Sequence, residues 1–278
     1  MTVTIVGIGL IGGSLALALK DKGIATRVIG VDNKHHQEKA LSLKLVDEVM
    51  ELEQAIIESD LIVLAIPVTA LTDLLPQVLN KVTRQVVMDV GSTKEGILEV
   101  VKDHPNRSRF VATHPMWGTE YSGPDAAVHG AFASKATVIC NGEESNPEAV
   151  TMVEDIYRQL GMHLIYMNGH DHDVHVAYIS HISHITSFAL ANTVLEKEKE
   201  EDTIFELASG GFESTVRLAK SSPVTWASVF MQNSENVLDV LNEHISQLRK
   251  FKACLEKENY EYLEELMVNA NKIKKILK

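Results

Sequence analysis

The feature that most limits the fold of this chain is a run of glycines close to its N-terminus. Residues 7–12 read Gly-Ile-Gly-Leu-Ile-Gly. They follow the alternating, β-branched segment Thr2–Val6, which predicts a buried strand, and precede the Ala- and Leu-rich segment Ser14–Lys20, which predicts a helix. A strand that turns into a helix through glycines at this spacing is typical of the first unit of a parallel α/β domain.

Each glycine of this turn has a physical role that predicts the ligand. We expect Gly7 to allow the tight turn, Gly9 to let the backbone approach a pyrophosphate, and Gly12 to let the helix pack closely on the strand. The amides of the helix N-terminus would bind the anion. Asp32, which ends the next predicted strand, would accept hydrogen bonds from the adenine ribose and repel a 2′-phosphate, which favours NAD over NADP. The predicted cofactor-binding residues are Gly7, Ile8, Gly9, Leu10, Ile11, Gly12, Asp32, Ile66 and Pro67. The alternative is a glycine-rich turn that binds nothing.

The rest of the chain falls into two parts with different patterns. Strands and helices alternate up to residue 167, which predicts an α/β N-terminal Rossmann domain with a doubly wound, mainly parallel sheet. Its remaining strands are predicted at residues 27–31, 61–66, 85–90, 110–113, 135–140 and 163–167. Residues 168–278 contain helical patterns alone and predict an all-α C-terminal domain; these patterns are Asp173–Leu195, a helix from Ser222 past Leu241, and Tyr260–Leu277. Long apolar helix faces without a covering sheet often pair with another subunit, so we expect a homodimer through this domain.

The composition excludes several classes of protein. A formal net charge of −12 argues against nucleic-acid binding, and it means that an anionic substrate needs cations in its own site. Cys140 and Cys254 form no CxxC pattern, which favours free thiols in a reducing compartment. Residues 1–19 carry no charged side chain and could be a signal peptide or a membrane span, but no Lys or Arg precedes them and the glycine turn explains them better. We therefore expect a cytoplasmic protein with no membrane partner.

Histidines are the candidate catalytic residues. His114-Pro115 follows a predicted strand, and ligands of parallel sheets bind beyond the carboxyl ends of the strands, so His114 is placed for acid–base chemistry. A structural histidine is the alternative. The dense group His170, His172, His175, His181 and His184 raises the possibility of a metal site. It lacks a third ligand in a recognised pattern, and we expect no metal.

Five motifs, some of which include residues described above, follow one another along the chain. They are Gly-Leu-Ile-Gly-Gly-Ser-Leu at 9–15, Asp-Val-Gly-Ser at 89–92 with Lys94, His-Pro-Met-Trp-Gly-Thr-Glu at 114–120, Ser-His-Ile-Ser-His at 180–184, and Gly-Gly-Phe at 210–212 with Arg217, Ser222-Pro223 and Trp226. Together they resemble the prephenate dehydrogenase family of tyrosine biosynthesis, from about residue 5 to about residue 230.

The resemblance implies an NAD-dependent oxidative decarboxylation of prephenate to 4-hydroxyphenylpyruvate. It places the catalytic base on His114 and a serine that orients this base on Ser92. It places a carboxylate-binding arginine on Arg217 and a contact with the pyruvyl side chain on His184. Trp226, Thr119, Glu120 and Asp173 match other substrate-binding positions. Arg217 also fits the charge argument, since prephenate is a dianion and a buried carboxylate needs a paired cation.

Some positions depart from the family pattern, and two other functions stay open. Met116 and Trp117 replace smaller aliphatic residues, Ser183 replaces a proline and Thr93 a valine; the bulk of Trp117 puts the substrate preference in doubt. Arogenate, or a 3-hydroxy acid, is an alternative substrate, although enzymes of the latter kind rely on a lysine in the helical domain. An NAD-binding redox sensor without turnover is an alternative from another class.

Overall fold

The computed structural model of the protein describes residues 1–199 and 203–276. It divides into two compact units, Met1–Asn233 and Ser234–Lys278. The first unit contains one eight-stranded sheet. Its strands are β1 (Thr2–Val6), β2 (Arg27–Val31), β3 (Glu48–Val49), β4 (Leu61–Leu64), β5 (Val86–Asp89), β6 (Phe110–Pro115), β7 (Ala136–Cys140) and β8 (His163–Met167).

The strand order across the sheet is β3-β2-β1-β4-β5-β6-β7-β8. All neighbouring strands are parallel except β6 and β7, which run antiparallel. The reason is that no crossover helix joins β6 to β7: the chain leaves β6 at the carboxyl edge and returns through a loop containing the short 3₁₀ turn Pro124–Ala126. The prediction of a mainly parallel, doubly wound sheet is confirmed.

Helices cover the sheet and form much of the rest of the described chain. They are α1 (Leu10–Asp21), α2 (Lys34–Ser42), α3 (Leu52–Glu58), α4 (Val68–Leu79), α5 (Glu95–Glu99), α6 (Pro147–Gln159), α7 (Gly169–Val176), α8 (Ile182–Glu198), α9 (Gly210–Val216), α10 (Pro223–Gln232), α11 (Ser234–Glu256) and α12 (Tyr260–Ala270). No strand occurs after residue 168 in the described part of the chain. The prediction of an all-helical C-terminal region is therefore confirmed.

Strand β4 illustrates how the sequence forms the core. Leu61 and Val63 belong to one buried apolar cluster, whereas Ile62 and Leu64 belong to another. Successive side chains of a strand point to opposite faces, so an unbroken apolar strand is stable only where helices cover both faces. Burial of each such side chain contributes about 1.5–3 kcal/mol, and this fixes the central strands whose carboxyl ends carry the site.

Several predicted boundaries were wrong for identifiable reasons. Helix α1 begins at Leu10 rather than Ser14, since Gly9 is already its N-cap. Strand β3 was missed because two residues cannot show a periodicity. The predicted helix past Leu241 is two helices, with Asn233 between α10 and α11. The predicted final helix ends at Ala270 and continues as a 3₁₀ turn, while its residue 277 lies outside the described residues.

The second unit contains α11 and α12, which pack against each other. Exposed apolar side chains occur on both helices, among them Leu238, Leu248 and Leu255 on α11 and Val268 on α12. Within residues 1–199 and 203–276, no helix is both long enough and apolar enough to cross a membrane.

Candidate active site

A cleft of about 800 Å³ opens at the carboxyl ends of β1, β2, β4, β5 and β6 and lies within the first unit. Helices α8 and α10 and the chain around Arg217 contribute its other wall. Most residues that the sequence predicted for cofactor or substrate line this cleft. They are Gly7, Gly9, Leu10, Ile11, Asp32, Ile66, Pro67, Ser92, His114, Thr119, Glu120, His184, Arg217 and Trp226. Ile8, Gly12 and Asp173 do not line it.

The glycine turn has the shape that a pyrophosphate requires. Gly7 adopts a φ of +94°, which a side chain would disfavour, and a Cβ on Gly12 would meet the carbonyl oxygen of Gly7 at 2.0 Å. A Cβ on Gly9, by contrast, would have no atom within 4 Å. Since no side chain caps the N-terminus of α1, its first amides are available to an anion. Gly12 is thus needed for the close packing of α1 on the turn, whereas Gly9 leaves open space that a ligand can occupy.

Asp32 lies where a dinucleotide's adenine ribose is expected. Its Oδ2 accepts a hydrogen bond of 2.7 Å from the amide of Ile8, and its Oδ1 accepts one of 2.7 Å from the amide of Asn33. The first bond gives Ile8 an indirect role in the site. The side chain of Ile8 is buried in the core, and its backbone amide holds the carboxylate of Asp32 at the edge of the glycine turn. This geometry fits a dinucleotide with free ribose hydroxyls.

The histidine predicted as the base is the outer member of a chain of three groups. Nδ1 of His114 lies 2.8 Å from Nε2 of His172, and Nδ1 of His172 lies 2.7 Å from Oδ1 of Asp173. Because an ionised carboxylate only accepts, Nδ1 of His172 must donate to Asp173, which leaves Nε2 of His172 as an acceptor. Nδ1 of His114 then donates, and Nε2 of His114 keeps a free lone pair.

Asp173 is fixed by the backbone of the neighbouring loop. It accepts hydrogen bonds from the amides of Lys94 at 2.7 Å and Glu95 at 2.9 Å, and its side chain is 1% exposed. Asp173 lies behind His172 and does not line the cleft. Its predicted contact with the substrate stays a prediction, and the geometry instead gives Asp173 a contact with His172. The sequence analysis placed His172 only in the dense group of histidines and gave it no role of its own.

Burial keeps His114 neutral. Desolvation, and then the neighbouring His172 and the cation of Lys94, lower the pKa of His114 well below the ordinary value of 6.5. Desolvation also lowers the pKa of His172, although the hydrogen bond to Asp173 opposes it. A neutral imidazole with a free Nε2 is the form that can accept a proton.

A buried ion pair lies beneath the site. Lys94 and Asp89 are both fully buried and joined through Nζ and Oδ2. Asp89 also accepts hydrogen bonds from the amides of Gly91 at 2.8 Å and Thr113 at 3.1 Å. The pair therefore ties the loop that carries Ser92 to the strand that carries His114. Among the described residues, the side chain bonded to His114 is His172 rather than Ser92, although Ser92 shares the cleft.

A π-helical turn, Ala177–His181, joins α7 to α8 and orients two more histidines. Such turns are frequent at functional sites. His184 stacks on Trp226 with an interplanar angle of 22°, and its Nδ1 lies 3.0 Å from the carbonyl oxygen of Ser180. His181 is buried edge-on to the same Trp226. His184 and Trp226 therefore form one aromatic wall of the cleft.

Arg217 brings positive charge to the cleft. Its guanidinium lies 2.8 Å from Oε2 of Glu120, and its side chain is 48% exposed. A backbone hydrogen bond, and then Arg217, hold the pKa of Glu120 below its usual range despite some desolvation. The cleft thus contains an ionised pair, whose cation can bind a substrate carboxylate and whose anion can bind a cation.

The other histidines of the dense group do not form a metal site with neighbouring side chains in the described part of the chain. No group of three or more His, Cys, Asp or Glu side chains within the described residues could hold a metal ion. His170 instead lies 3.4 Å from Glu95 on the surface.

A glycine turn on a parallel sheet, an acidic residue at the ribose position and a neutral, partly buried histidine in the same cleft define a dinucleotide-dependent dehydrogenase. Two family models match the chain: the prephenate dehydrogenase nucleotide-binding domain over residues 15–166 and the prephenate dehydrogenase dimerization domain over residues 168–269. The chain belongs to the prephenate dehydrogenase family.

Individual relatives agree with this assignment. Prephenate dehydrogenase of Bacillus subtilis is 30% identical over 267 residues, which cover 94% of this chain and 72% of the relative. The crystal structure of A. aeolicus prephenate dehydrogenase in complex with hydroxyphenyl propionate and NAD⁺ is 27% identical, with a TM-score of 0.85 and 98% of each chain covered. The crystal structure of Synechocystis arogenate dehydrogenase is 26% identical, with a TM-score of 0.77 and 100% of each chain covered.

Proposed function

We propose that this protein catalyses the NAD-dependent oxidative decarboxylation of prephenate to 4-hydroxyphenylpyruvate and carbon dioxide. The observation that carries the proposal is that His114, neutral and with Nε2 free, shares one cleft with the glycine turn and with Arg217. NAD, when bound, supplies the acceptor for the hydride that leaves the hydroxyl-bearing ring carbon. Loss of carbon dioxide then makes the ring aromatic, which drives the reaction forward.

Residues of the chain accept the proton of the substrate and stabilise the charges of the reaction. Nε2 of His114 accepts the proton of the ring hydroxyl, and the positive charge that develops is stabilised through His172 by the carboxylate of Asp173. Ser92 follows β5, the neighbour of the strand that carries His114, and lines the same cleft; we expect its hydroxyl to hydrogen-bond the substrate oxygen. Arg217 binds a carboxylate, which compensates locally for the net charge of −12. His184 and Trp226 pack against the side chain of the substrate.

Arogenate is a second candidate substrate, and one observation favours it. Arogenate carries an ammonium group where prephenate has a keto oxygen, and the ionised Glu120 in the cleft can pair with such a cation. For prephenate, Glu120 serves to hold the guanidinium of Arg217 in place. Glu120 would therefore pair with the ammonium group of arogenate, but with the guanidinium of Arg217 when prephenate is bound.

The deciding experiment measures steady-state NADH formation with prephenate and with arogenate, each with NAD and NADP. We expect turnover of prephenate with NAD, and a loss of about 10²–10⁴-fold in kcat for His114→Asn. His163→Asn, which alters an exposed histidine at the far edge of the sheet, should leave the rate unchanged. Turnover of arogenate alone would support the second candidate. NADH binding without turnover of either substrate would support a redox sensor.

The oligomeric state, location and domain boundary complete the proposal. The exposed apolar side chains on α11 and α12, together with the dimerization-domain match, support a homodimer through the helical domain; sedimentation velocity tests it. The free, buried Cys140 and Cys254 support a cytoplasmic location. The adjoining ranges of the two family matches support a boundary between residues 167 and 168.

A further inference from the structure

The carboxylate of Asp32 carries a partner that the glycine-turn motif does not require. Besides the amide of Asn33, its Oδ1 lies 3.2 Å from Nδ1 of His36. His36 lies in the first turn of α2, and its amide donates to Oδ1 of Asn33, the N-cap of that helix, at 3.1 Å. Its imidazole lines the cleft together with Asp32 and Asn33, and the side chain is 35% exposed. A titratable ring therefore sits at the position where the adenine ribose is expected.

The hydrogen-bonding of this ring depends on its protonation. The ionised Asp32 accepts from Nδ1, so a neutral His36 presents Nε2 as an acceptor, which suits a ribose hydroxyl. A protonated His36 presents Nε2–H as a donor and cancels the charge of Asp32. A donor with a positive charge suits a phosphate ester, which the bare carboxylate would repel.

We propose that His36 is a specificity-determining residue for the cofactor ribose, which excludes a 2′-phosphate when it is neutral and admits one when it is protonated. The inference rests on dinucleotide binding at the glycine turn and is independent of the substrate.

The charged groups around His36 leave Asp32 as the carboxylate that it contacts. On α2 itself, Lys39 pairs with Asp125 of the 3₁₀ turn packed against the helix, at 2.9 Å. On the strands under α2, Arg27 of β2 pairs with Glu48 of β3. The other titratable groups of the helix are Lys34, His35 and Glu38. Neither Lys34 nor His35 lines the cleft.

The test uses binding of ribose fragments, so that the groups around His114 play no part. We would measure the dissociation constants of adenosine 5′-monophosphate and adenosine 2′,5′-bisphosphate by calorimetry at about pH 6 and about pH 8. In the unaltered protein, the preference for the 2′-hydroxyl compound should shrink by about tenfold or more at the lower pH, as expected for one charge-assisted hydrogen bond.

Three variants separate His36 from other causes. The phosphate titrates near about pH 6, so His36→Gln measures the part of the pH effect that belongs to the ligand alone and should lose the rest. His36→Arg should bind the bisphosphate about tenfold more tightly at about pH 8, with little change at lower pH. His35→Gln, the neighbouring histidine outside the cleft, should behave like the unaltered protein.

Two results would overturn the proposal. One is a His36→Gln protein that keeps the full pH response of the unaltered protein. The other is a His36→Arg protein that gains no affinity for the bisphosphate at about pH 8. Unfolding temperatures of all variants should agree closely, because the side chain is partly exposed and the capping bond of Asn33 uses the backbone of residue 36.

Discussion

Nδ1 of His114 lies 2.8 Å from Nε2 of His172, although the two residues are 58 positions apart in the chain. Because His172 is itself held by Asp173, this contact sets the tautomer of His114 and leaves Nε2 free in the cleft. A histidine in the wrong tautomer would present a proton where a base is needed. The proposed chemistry therefore depends on two groups, His172 and Asp173, that do not line the cleft.

Asp173→Asn tests this dependence. An asparagine can donate to Nδ1 of His172, so the chain of hydrogen bonds could reverse and Nε2 of His114 would carry a proton. We expect kcat to fall by about 10²-fold or more, with the KM for the substrate little changed, because Asp173 does not line the cleft. Asp171→Asn, on the exposed side of the same helix, is the matched control. A large rise in KM with kcat retained would instead restore Asp173 as a substrate contact.

Arg217→Gln should weaken substrate binding. The change removes a charge-assisted, fork-shaped contact with a carboxylate, and Arg217 is partly exposed, so we expect the KM to rise by about tenfold. The kcat should change less. Lys220→Gln is the control, because Lys220 is a cation on the same 3₁₀ turn that does not line the cleft. An unchanged KM in Arg217→Gln would show that another group holds the carboxylate.

The pH dependence of the rate follows from the neutral state of His114. Burial lowers its pKa well below 6.5, so the base stays unprotonated through neutral pH and gains a proton only under acidic conditions. The value of kcat/KM should therefore be flat near neutrality and fall on an acid limb with a midpoint below 6.5. A midpoint at or above that value would mean that His114 is not the group that titrates.

The sequence alone was sufficient for those parts of the site that depend on local structure. The glycine turn, the strand that ends at Asp32 and the strand that leads to His114 each follow from a few adjacent residues whose backbone preferences agree. Strand β4 could be recognised because every residue in it is apolar. The order of motifs then placed Arg217 and His184, which the structure brings to the same cleft.

The parts that were missed depend on contacts between distant segments. No residue near His172 in the chain indicates that its ring contacts His114. Likewise, no residue near Asp173 indicates that the amides of residues 94 and 95 donate hydrogen bonds to its carboxylate. The position of His36 against Asp32 is more local, one helical turn apart. Its meaning nevertheless requires knowing that both side chains face the cleft.

Two of the three glycines of the turn, Gly9 and Gly12, allow a sharp test of the cofactor site, because they differ in their tolerance of a methyl group. Gly12→Ala would place a Cβ 2.0 Å from the carbonyl oxygen of Gly7, and this oxygen belongs to the backbone of the turn and cannot move aside. We expect this variant to lose more than about 2 kcal/mol of folding free energy or to fail to fold.

Gly9→Ala should have the opposite signature. Its φ of −87° suits alanine, and the added methyl meets no atom within 4 Å, so the unfolding temperature should stay within a few degrees of the parent. The same methyl occupies the space that a pyrophosphate needs, so the dissociation constant for NADH should rise by at least about tenfold. Thermal unfolding and fluorescence titration with NADH measure both quantities on one sample. A stable Gly9→Ala protein with undiminished NADH affinity would place the pyrophosphate elsewhere, since the open space above Gly9 would then serve no ligand.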